Sequence, residues 1–156
     1  MESFDPDRLL ALLPKRSLKL LPKGMQLPRK KSVGILSDYN GFTGKERLRT
    51  FEVEKWLISV GSISPSVECH ICGRSASARH AEDYYDLTSW MALCHSCHGR
   101  LHKRFSNPRA WHERLEEATL PQNHWARAIS STPFDLAKVL RERGKCEPLH
   151  GDFLIP

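Results

Sequence analysis

The sequence predicts an α+β fold, in which a small module of two strands and one helix is flanked by helices and preceded by a loop-rich N-terminal arm. Two observations carry this prediction. Four of the five cysteines lie between residues 69 and 97 as two Cys-x-x-Cys pairs, which enclose segments with the character of short strands. Outside this region, apolar segments begin with Asp, Asn or Thr followed by proline, which is typical of short helices.

The N-terminal arm begins with a helix predicted over residues 5–14, with Asp5 as its N-cap and Pro14 at its end. Residues 15–31 contain basic residues and prolines, so we expect an extended segment. The first 50 residues hold 11 Lys and Arg against 5 Asp and Glu, whereas the rest of the chain holds 13 of each. A basic arm favours a polyanion because each phosphate contact releases a counterion; the alternative is a solvated basic tail. The predicted nucleic-acid contacts of the arm are Lys15, Arg16, Lys19, Lys23, Arg29, Lys30 and Lys31.

The longest helix is predicted over residues 43–61, where apolar residues recur with a helical period and Gly61 provides a stop. Two further helices are predicted after the cysteine region. One covers residues 107–120 with Asn107 as its N-cap, and the other covers residues 131–144 with Thr132 as its cap. The residues that fall near the apolar side of the longest helix are Leu48, Phe51, Val53, Lys55, Trp56, Leu57, Ile58 and Val60.

The cysteine spacing predicts a structural Zn²⁺ site. Cys69 and Cys72 are followed by Cys94 and Cys97, and two such pairs supply the four thiolates of a tetrahedral metal site. Two disulfides or a redox-active pair are the alternatives, but disulfides need an oxidising compartment. The chain has no apolar run long enough for a membrane span, and its start lacks the pattern of a signal peptide. We therefore expect a cytoplasmic protein in which Cys146 is an unliganded thiol.

If the four thiolates fill the coordination shell of the zinc ion, the histidines of the same region are not needed as its ligands. His98 and His102 are four residues apart on a helix that should begin near Cys97, so they share one face. His80 lies where the first strand should end, and residues 89–94 have the character of the second strand. In the order strand, loop, strand, helix, His80 could face the other two histidines and form a second metal site.

Basic residues flank these elements at positions where a scissile phosphate could be held. They are Arg79, Arg100, Lys103 and Arg104. The two histidines inside the Cys-x-x-Cys pairs, His70 and His95, are expected to be exposed or to support the turns.

The segments CHIC, HAEDY and LCHSCHGRLHKRF resemble the HNH nucleases, whose module is a ββα-metal fold with zinc knuckles. The resemblance covers residues 69–105, about a quarter of the chain. It implies an HNH-like zinc module over residues 67–106, between a basic arm and helix over 1–66 and a helical extension over 107–156. It also implies an endonuclease that binds nucleic acid, with DNA as the expected target, and hydrolyses phosphodiester bonds.

Carried over by position, the resemblance implies that His80 and His98 are metal ligands and that His102 is a further ligand or a phosphate contact. The implied catalytic ion is Mg²⁺, Mn²⁺ or another divalent ion, in addition to the structural zinc.

The sequence departs from the HNH pattern at position 81. The first strand of the family usually ends in a metal ligand followed by a histidine that acts as the general base, and here Ala81 occupies the second position. In one interpretation, His80 is the base and Glu82 or Asp83 joins the metal. In another, the module binds DNA with little or no catalysis. A third interpretation is a zinc-stapled interaction module that binds a protein partner.

Overall fold

A computed structural model describes residues 3–19, 21, 25, 27–28 and 36–146 of the chain. It contains helices and one two-stranded sheet, so the predicted α+β class is confirmed. The predicted phosphate contacts Lys23, Arg29, Lys30 and Lys31 lie outside the described residues. The helices are α1 (Pro6–Leu12), α2 (Gly44–Ser59), α3 (His95–His102), α4 (Pro108–Glu117), α5 (Trp125–Ala128) and α6 (Leu136–Glu142), and the strands are β1 (Ala78–His80) and β2 (Met91–Leu93).

The sheet is a short antiparallel pair that leads directly into α3. Ala78 pairs with Leu93, and His80 pairs with Met91. Helix α3 follows β2 after a single residue and packs against both β1 and α4. The predicted order of strand, loop, strand and helix is therefore present.

The chain divides into two compact units that are interleaved along the sequence. The first, which we call the cysteine unit, is formed by Met1–Pro14, Ser66–Ala81 and Trp90–Phe134. The second, which we call the helical unit, is formed by Lys15–Pro65, Glu82–Ser89 and Asp135–Pro156. The cysteine unit thus holds the sheet and α3, and the helical unit holds α2 and α6.

Helix α1 belongs to the cysteine unit and begins where the sequence predicts. The Asp5 carboxylate accepts a hydrogen bond from the Asp7 backbone N–H at 2.9 Å, and Pro6 occupies the first helical position. Leu9 and Leu13 are buried, and the helix packs against α5. The core of the unit also contains Leu93, Leu101, Trp111, Leu115 and Trp125.

The buried face of α2 differs from the predicted one because two polar side chains take part in it. The Thr50 hydroxyl donates to the Tyr84 carbonyl at 2.9 Å, and the buried Glu54 carboxylate accepts from Arg16 at 3.3 Å. Polar groups with partners can be buried at a small net cost, so hydrophobicity alone did not identify this face. The buried residues of α2 are Arg49, Thr50, Val53, Glu54 and Leu57. Two residues that the prediction placed near this face are exposed instead: Lys55 and Val60.

The prediction for the last helix was wrong at its beginning and correct near its end. Helix α6 is capped by Asp135, whose carboxylate accepts from the Lys138 backbone N–H at 2.8 Å, rather than by Thr132. Gly144 lies just beyond its end with a φ of 77°, in the left-handed region that favours glycine. The four-residue helix α5 was not predicted. None of the helices in the described part of the chain combines the length and apolarity that a membrane span requires.

Candidate metal centre

The two Cys-x-x-Cys pairs form tight turns stabilised by backbone hydrogen bonds. In the first turn, the Gly73 N–H donates to the Cys69 carbonyl at 2.9 Å, and the Cys69 N–H donates to the Arg74 carbonyl at 2.7 Å. Gly73 has a φ of 73°, which explains a glycine at this position. In the second turn, the Cys94 sulfur caps α3 by accepting from the Cys97 N–H at 3.4 Å.

The four cysteine sulfurs meet at one point of the cysteine unit. They all lie within 4.8 Å of one another, and the sulfurs of Cys72 and Cys94 are 3.6 Å apart. A tetrahedral zinc ion with Zn–S bonds of about 2.3 Å separates its sulfur ligands by about 3.8 Å, so the spacing suits one four-thiolate ion. All four side chains are free thiols, which does not support the disulfide alternative. The predicted cysteine cluster is therefore present and could hold a metal ion.

The electrostatics of this cluster favour a bound cation. Burial raises the pKa of the Cys72 thiol, but hydrogen bonds from the Arg74 side chain and backbone outweigh it and lower this pKa to about 6. The Arg74 Nε donates to the Cys72 sulfur at 3.5 Å. The pKa of Cys97 is raised by its burial and by its hydrogen bond with Cys94. Because neighbouring thiolates repel one another, a metal ion is needed for all four to be deprotonated together.

Three histidine side chains form a second cluster in the same unit. His80 ends β1 and is 1% exposed, whereas His98 and His102 lie on α3 and are half-buried. The Nε2 atoms of His98 and His102 are 2.9 Å apart. The ring centroid of His80 lies 5.4 Å from that of His98 and 5.1 Å from that of His102. The structure thus brings together the three histidines that the sequence analysis grouped.

The histidine cluster has the donor set of a transition-metal site. The candidate ligand nitrogens all lie within 4.8 Å of one another, and a tetrahedral zinc ion with Zn–N bonds of about 2.0–2.1 Å separates them by about 3.3 Å. Three protein ligands leave a fourth position for water or substrate, as in catalytic zinc sites. Within the described residues, neither this cluster nor the cysteine cluster includes a carboxylate.

The two clusters share one scaffold. Helix α3 supplies Cys97 to the first cluster and His98 to the second, and these residues are neighbours in the chain. The His98 N–H donates to the Cys94 carbonyl at 2.9 Å, so the turn that holds the cysteines also fixes the beginning of the helix. Formation of the cysteine site should therefore help to position the histidines.

The acids that follow His80 belong to the helical unit and have partners there. The Glu82 carboxylate accepts from the Tyr39 hydroxyl at 2.6 Å and from the Asn40 side-chain amide at 2.6 Å. The Asp83 carboxylate accepts from the Tyr85 backbone N–H at 2.8 Å, and burial raises its pKa. Both oxygens of Glu82 are therefore engaged in a hydrogen-bond network with the segment before α2.

Arg104 has a different environment from the one expected of a phosphate contact. It is 1% exposed, and its guanidinium donates to the Ser130 carbonyl at 2.7 Å and to the Leu101 carbonyl at 3.0 Å. This side chain therefore connects α3 to a later loop. The other predicted contacts within the described residues are the exposed Lys15, Lys19 and Lys103 and the half-buried Arg16, Arg79 and Arg100. Of these, Lys15 pairs with Asp86, Arg16 with Glu54, and Arg100 with Glu117.

His124 supports the first cysteine turn, a role that the sequence analysis did not predict. One ring nitrogen, Nδ1, accepts from the Ala126 N–H at 3.1 Å and caps α5, while Nε2 lies 3.2 Å from the His70 carbonyl and donates to it. His70 lies inside the first Cys-x-x-Cys pair. Because the two histidines are 54 positions apart in the chain, no local pattern indicates the contact.

His124 is expected to make folding stability sensitive to acid. Its pKa is lowered by burial, so the unfolded chain takes up a proton first as the pH falls below about 6.5. The contribution of His124 is therefore complete above that pH and is lost below it. Asparagine can also accept a capping hydrogen bond but does not titrate. In urea unfolding at a series of pH values, the stability advantage of the wild type over His124→Asn should shrink below about pH 6.5.

The control for this experiment is His112→Asn, at an exposed position of α4. It measures how far the exchange of an exposed histidine for asparagine changes stability at each pH. A constant difference between the wild type and His124→Asn from pH 8 to pH 5 would contradict the prediction.

Comparisons with protein-family models, with curated proteins and with solved structures find no match for this chain. The case for a function therefore depends on the two clusters and on the residues around them.

Proposed function

We propose that this chain is a metal-dependent nuclease of the HNH type, which hydrolyses phosphodiester bonds in DNA. The observation that carries the proposal is the histidine cluster of His80, His98 and His102 beside a four-cysteine cluster on one strand–strand–helix module. A purely structural zinc module needs only the cysteines. The three additional imidazoles, with an open coordination position, are what a hydrolytic site requires.

We assign the cysteine cluster to a structural Zn²⁺ and the histidine cluster to a second divalent ion. Imidazole nitrogens suit Zn²⁺, Co²⁺ or Ni²⁺, whereas Mg²⁺ is bound through carboxylates, phosphates and water. The resemblance implies Mg²⁺, Mn²⁺ or another divalent ion, and the three-nitrogen donor set favours Zn²⁺, Co²⁺ or Ni²⁺ among these. Substrate phosphate oxygens would complete the shell of any of them.

The residues of the site have distinct tasks. A divalent ion bound by the histidines would stabilise the negative charge that develops on the phosphate. If all three imidazoles are ligands, no histidine of the cluster remains as a general base, and the loss of a positioned base typically lowers a rate by about 10²–10⁴. If His80 instead accepts the proton of the attacking water, His98 and His102 alone hold the ion. Either arrangement makes both α3 histidines essential.

Position 81 is not a suitable place for the histidine that acts as general base in the HNH pattern. Ala81 is fully buried, and an imidazole there would overpack the interior. We expect Ala81→His to destabilise the protein by about 1–3 kcal/mol without raising its cleavage rate, because overpacked cores shift or strain. Thermal unfolding and plasmid nicking of the variant measure the two effects. An increase in the nicking rate with an unchanged melting temperature would contradict this expectation.

A non-cleaving DNA-binding protein is the second candidate function, and the buried alanine at position 81 favours it. Incubation of supercoiled plasmid with the zinc-loaded protein and Zn²⁺, Co²⁺, Ni²⁺, Mn²⁺ or Mg²⁺ separates the two. The proposal predicts nicked and linear products with at least one transition-metal ion. DNA binding without cleavage by any of the ions would favour the second candidate.

The basic arm is proposed to add affinity for DNA rather than sequence selectivity. Deletion of residues 1–31 would also remove the buried Leu9 and Leu13, so substitution is the cleaner test. We expect replacement of Lys23, Arg29, Lys30 and Lys31 by glutamine to weaken DNA binding. The slope of log affinity against log salt should become shallower by about 0.9 for each phosphate that the protein no longer neutralises. Filter binding at several salt concentrations measures it, and an unchanged slope would exclude these four residues from the interface.

A further inference from the structure

A cleft of the cysteine unit is lined by none of the residues of either metal cluster. It is formed by residues 3–8, by His112 of α4 and by residues 127–132, and it has a volume of about 380 Å³. This volume is within the range of pockets that bind small organic ligands. The side chains that give it chemical character are Phe4, Arg8, His112, Arg127, Ser131 and Thr132.

The charge of the cleft is positive. Arg8 and Arg127 both line it against one acid, Asp5, whose carboxylate also accepts from the Asp7 N–H at 2.9 Å, so two positive side chains face one negative side chain. The Arg127 Nη2 donates to the Leu120 carbonyl at 3.3 Å, which restrains the guanidinium. Because a guanidinium carries five N–H donors, it can bind an anion while one of its nitrogens is engaged in this way. The cleft is therefore suited to an anionic group.

The turn that forms another wall of the cleft is held rigidly. The buried Arg104 donates to the Ser130 carbonyl at 2.7 Å, and the Ser130 hydroxyl accepts from the Thr132 N–H at 3.1 Å. Ser130 is buried, whereas Ser131 and Thr132 are exposed and line the cleft. The backbone that carries these two residues is therefore fixed, which reduces the entropy lost on binding a ligand.

The cleft also has an aromatic surface. Phe4 contacts Phe134 edge to face, with ring centroids 4.4 Å apart and an angle of 62° between the rings. Phe4 is half-buried and lines the cleft, so part of its ring remains available. Aromatic rings at nucleic-acid sites are used as surfaces on which bases stack.

We propose that this cleft binds a nucleotide through its phosphomonoester, with Arg8 and Arg127 at the phosphate and Phe4 against the base. The ligand is either a free mononucleotide or the phosphorylated end of a strand, since both present the same group. The proposal goes beyond the nuclease function and does not depend on it, because the cleft shares no residue with the histidine cluster.

Calorimetric titration of the zinc-loaded full-length protein tests the proposal with deoxyadenosine monophosphate, which has no phosphodiester bond to cleave. Deoxyadenosine and inorganic phosphate are the comparison ligands. The mononucleotide should bind more tightly than either. Arg8→Gln and Arg127→Gln should each weaken its binding by about tenfold or more, because each removes a charge-assisted contact. The matched control is Arg109→Gln, an exposed arginine of α4 outside the cleft, which should have no effect.

If Arg127→Gln fails to fold, Arg8→Gln and the NMR shifts of the Ser131 and Thr132 amides on titration decide the question. A short oligonucleotide with and without a terminal phosphate identifies the source. A preference for the phosphorylated strand that Arg8→Gln abolishes indicates a strand end, and equal binding of the two strands indicates a free nucleotide. The proposal is overturned if the mononucleotide does not bind, if inorganic phosphate binds equally well, or if Arg109→Gln weakens binding as much as Arg8→Gln.

Discussion

Replacement of Cys97 by serine is expected to abolish zinc binding and to unfold the cysteine unit. Cys97 is fully buried, and its sulfur is one of the four that lie within 4.8 Å of one another. Structural zinc sites contribute about 10–16 kcal/mol at neutral pH, which is comparable to the whole stability of a small domain. Zinc content by mass spectrometry and thermal unfolding by circular dichroism measure the effect. The wild type should contain one tightly held zinc ion per chain before any second metal is added.

The matched control for this prediction is Cys146→Ser. Cys146 is the exposed cysteine outside the cluster, and its replacement should leave both zinc content and melting temperature unchanged. Wild-type protein without zinc, or a Cys97→Ser variant that melts like the Cys146→Ser variant, would show that the cysteine cluster does not hold a structural metal.

Replacement of His98 by alanine is expected to remove nuclease activity while the structural zinc remains bound. The His98 nitrogen lies 2.9 Å from that of His102, so its removal leaves two imidazoles and an incomplete site. We expect the rate of plasmid nicking to fall by about 10²-fold or more, because a site with one ligand fewer would no longer hold the ion that stabilises the charge on the phosphate. His80→Ala should have an effect of similar size.

His95→Ala provides the control on the same helix. His95 is exposed and belongs to neither cluster, so this variant should retain zinc and cleave at the wild-type rate. Equal loss of activity in His95→Ala and His98→Ala would indicate damage to α3 rather than removal of a metal ligand. Cleavage that survives in both His80→Ala and His98→Ala would place the active site elsewhere.

Features encoded by neighbouring residues were predicted well from the sequence. The starts of α1 and α4 follow from Asp5–Pro6 and Asn107–Pro108, in which a capping side chain precedes a residue with a fixed φ. Both clusters were also predicted as groups of residues. Their members lie within about 40 positions of one another, and the alternation of strand, strand and helix places them together.

Features that depend on distant partners were not predicted. Thr50 and Glu54 are buried on α2 because they have hydrogen-bond partners in other segments, Tyr84 and Arg16. The spacing of apolar residues along the sequence does not reveal such pairs. The beginning of α6 was misplaced because both Thr132 and Asp135 are good capping residues. The choice between them depends on tertiary structure, in which Ser130 and Thr132 form a separate turn. The burial of Arg104 likewise depends on the distant Ser130 carbonyl.

A metal titration of nuclease activity tests the central proposal most directly. Protein that retains its structural zinc is titrated with Co²⁺, and the rate of plasmid nicking is measured at each ratio of metal to protein. We expect activity to appear as one further equivalent of Co²⁺ binds, with an absorption spectrum typical of nitrogen ligands. His98→Ala should show neither the second binding event nor the activity. Full activity with the structural zinc alone, or an equal response to Co²⁺ in His98→Ala, would show that the histidine cluster is not the catalytic metal site.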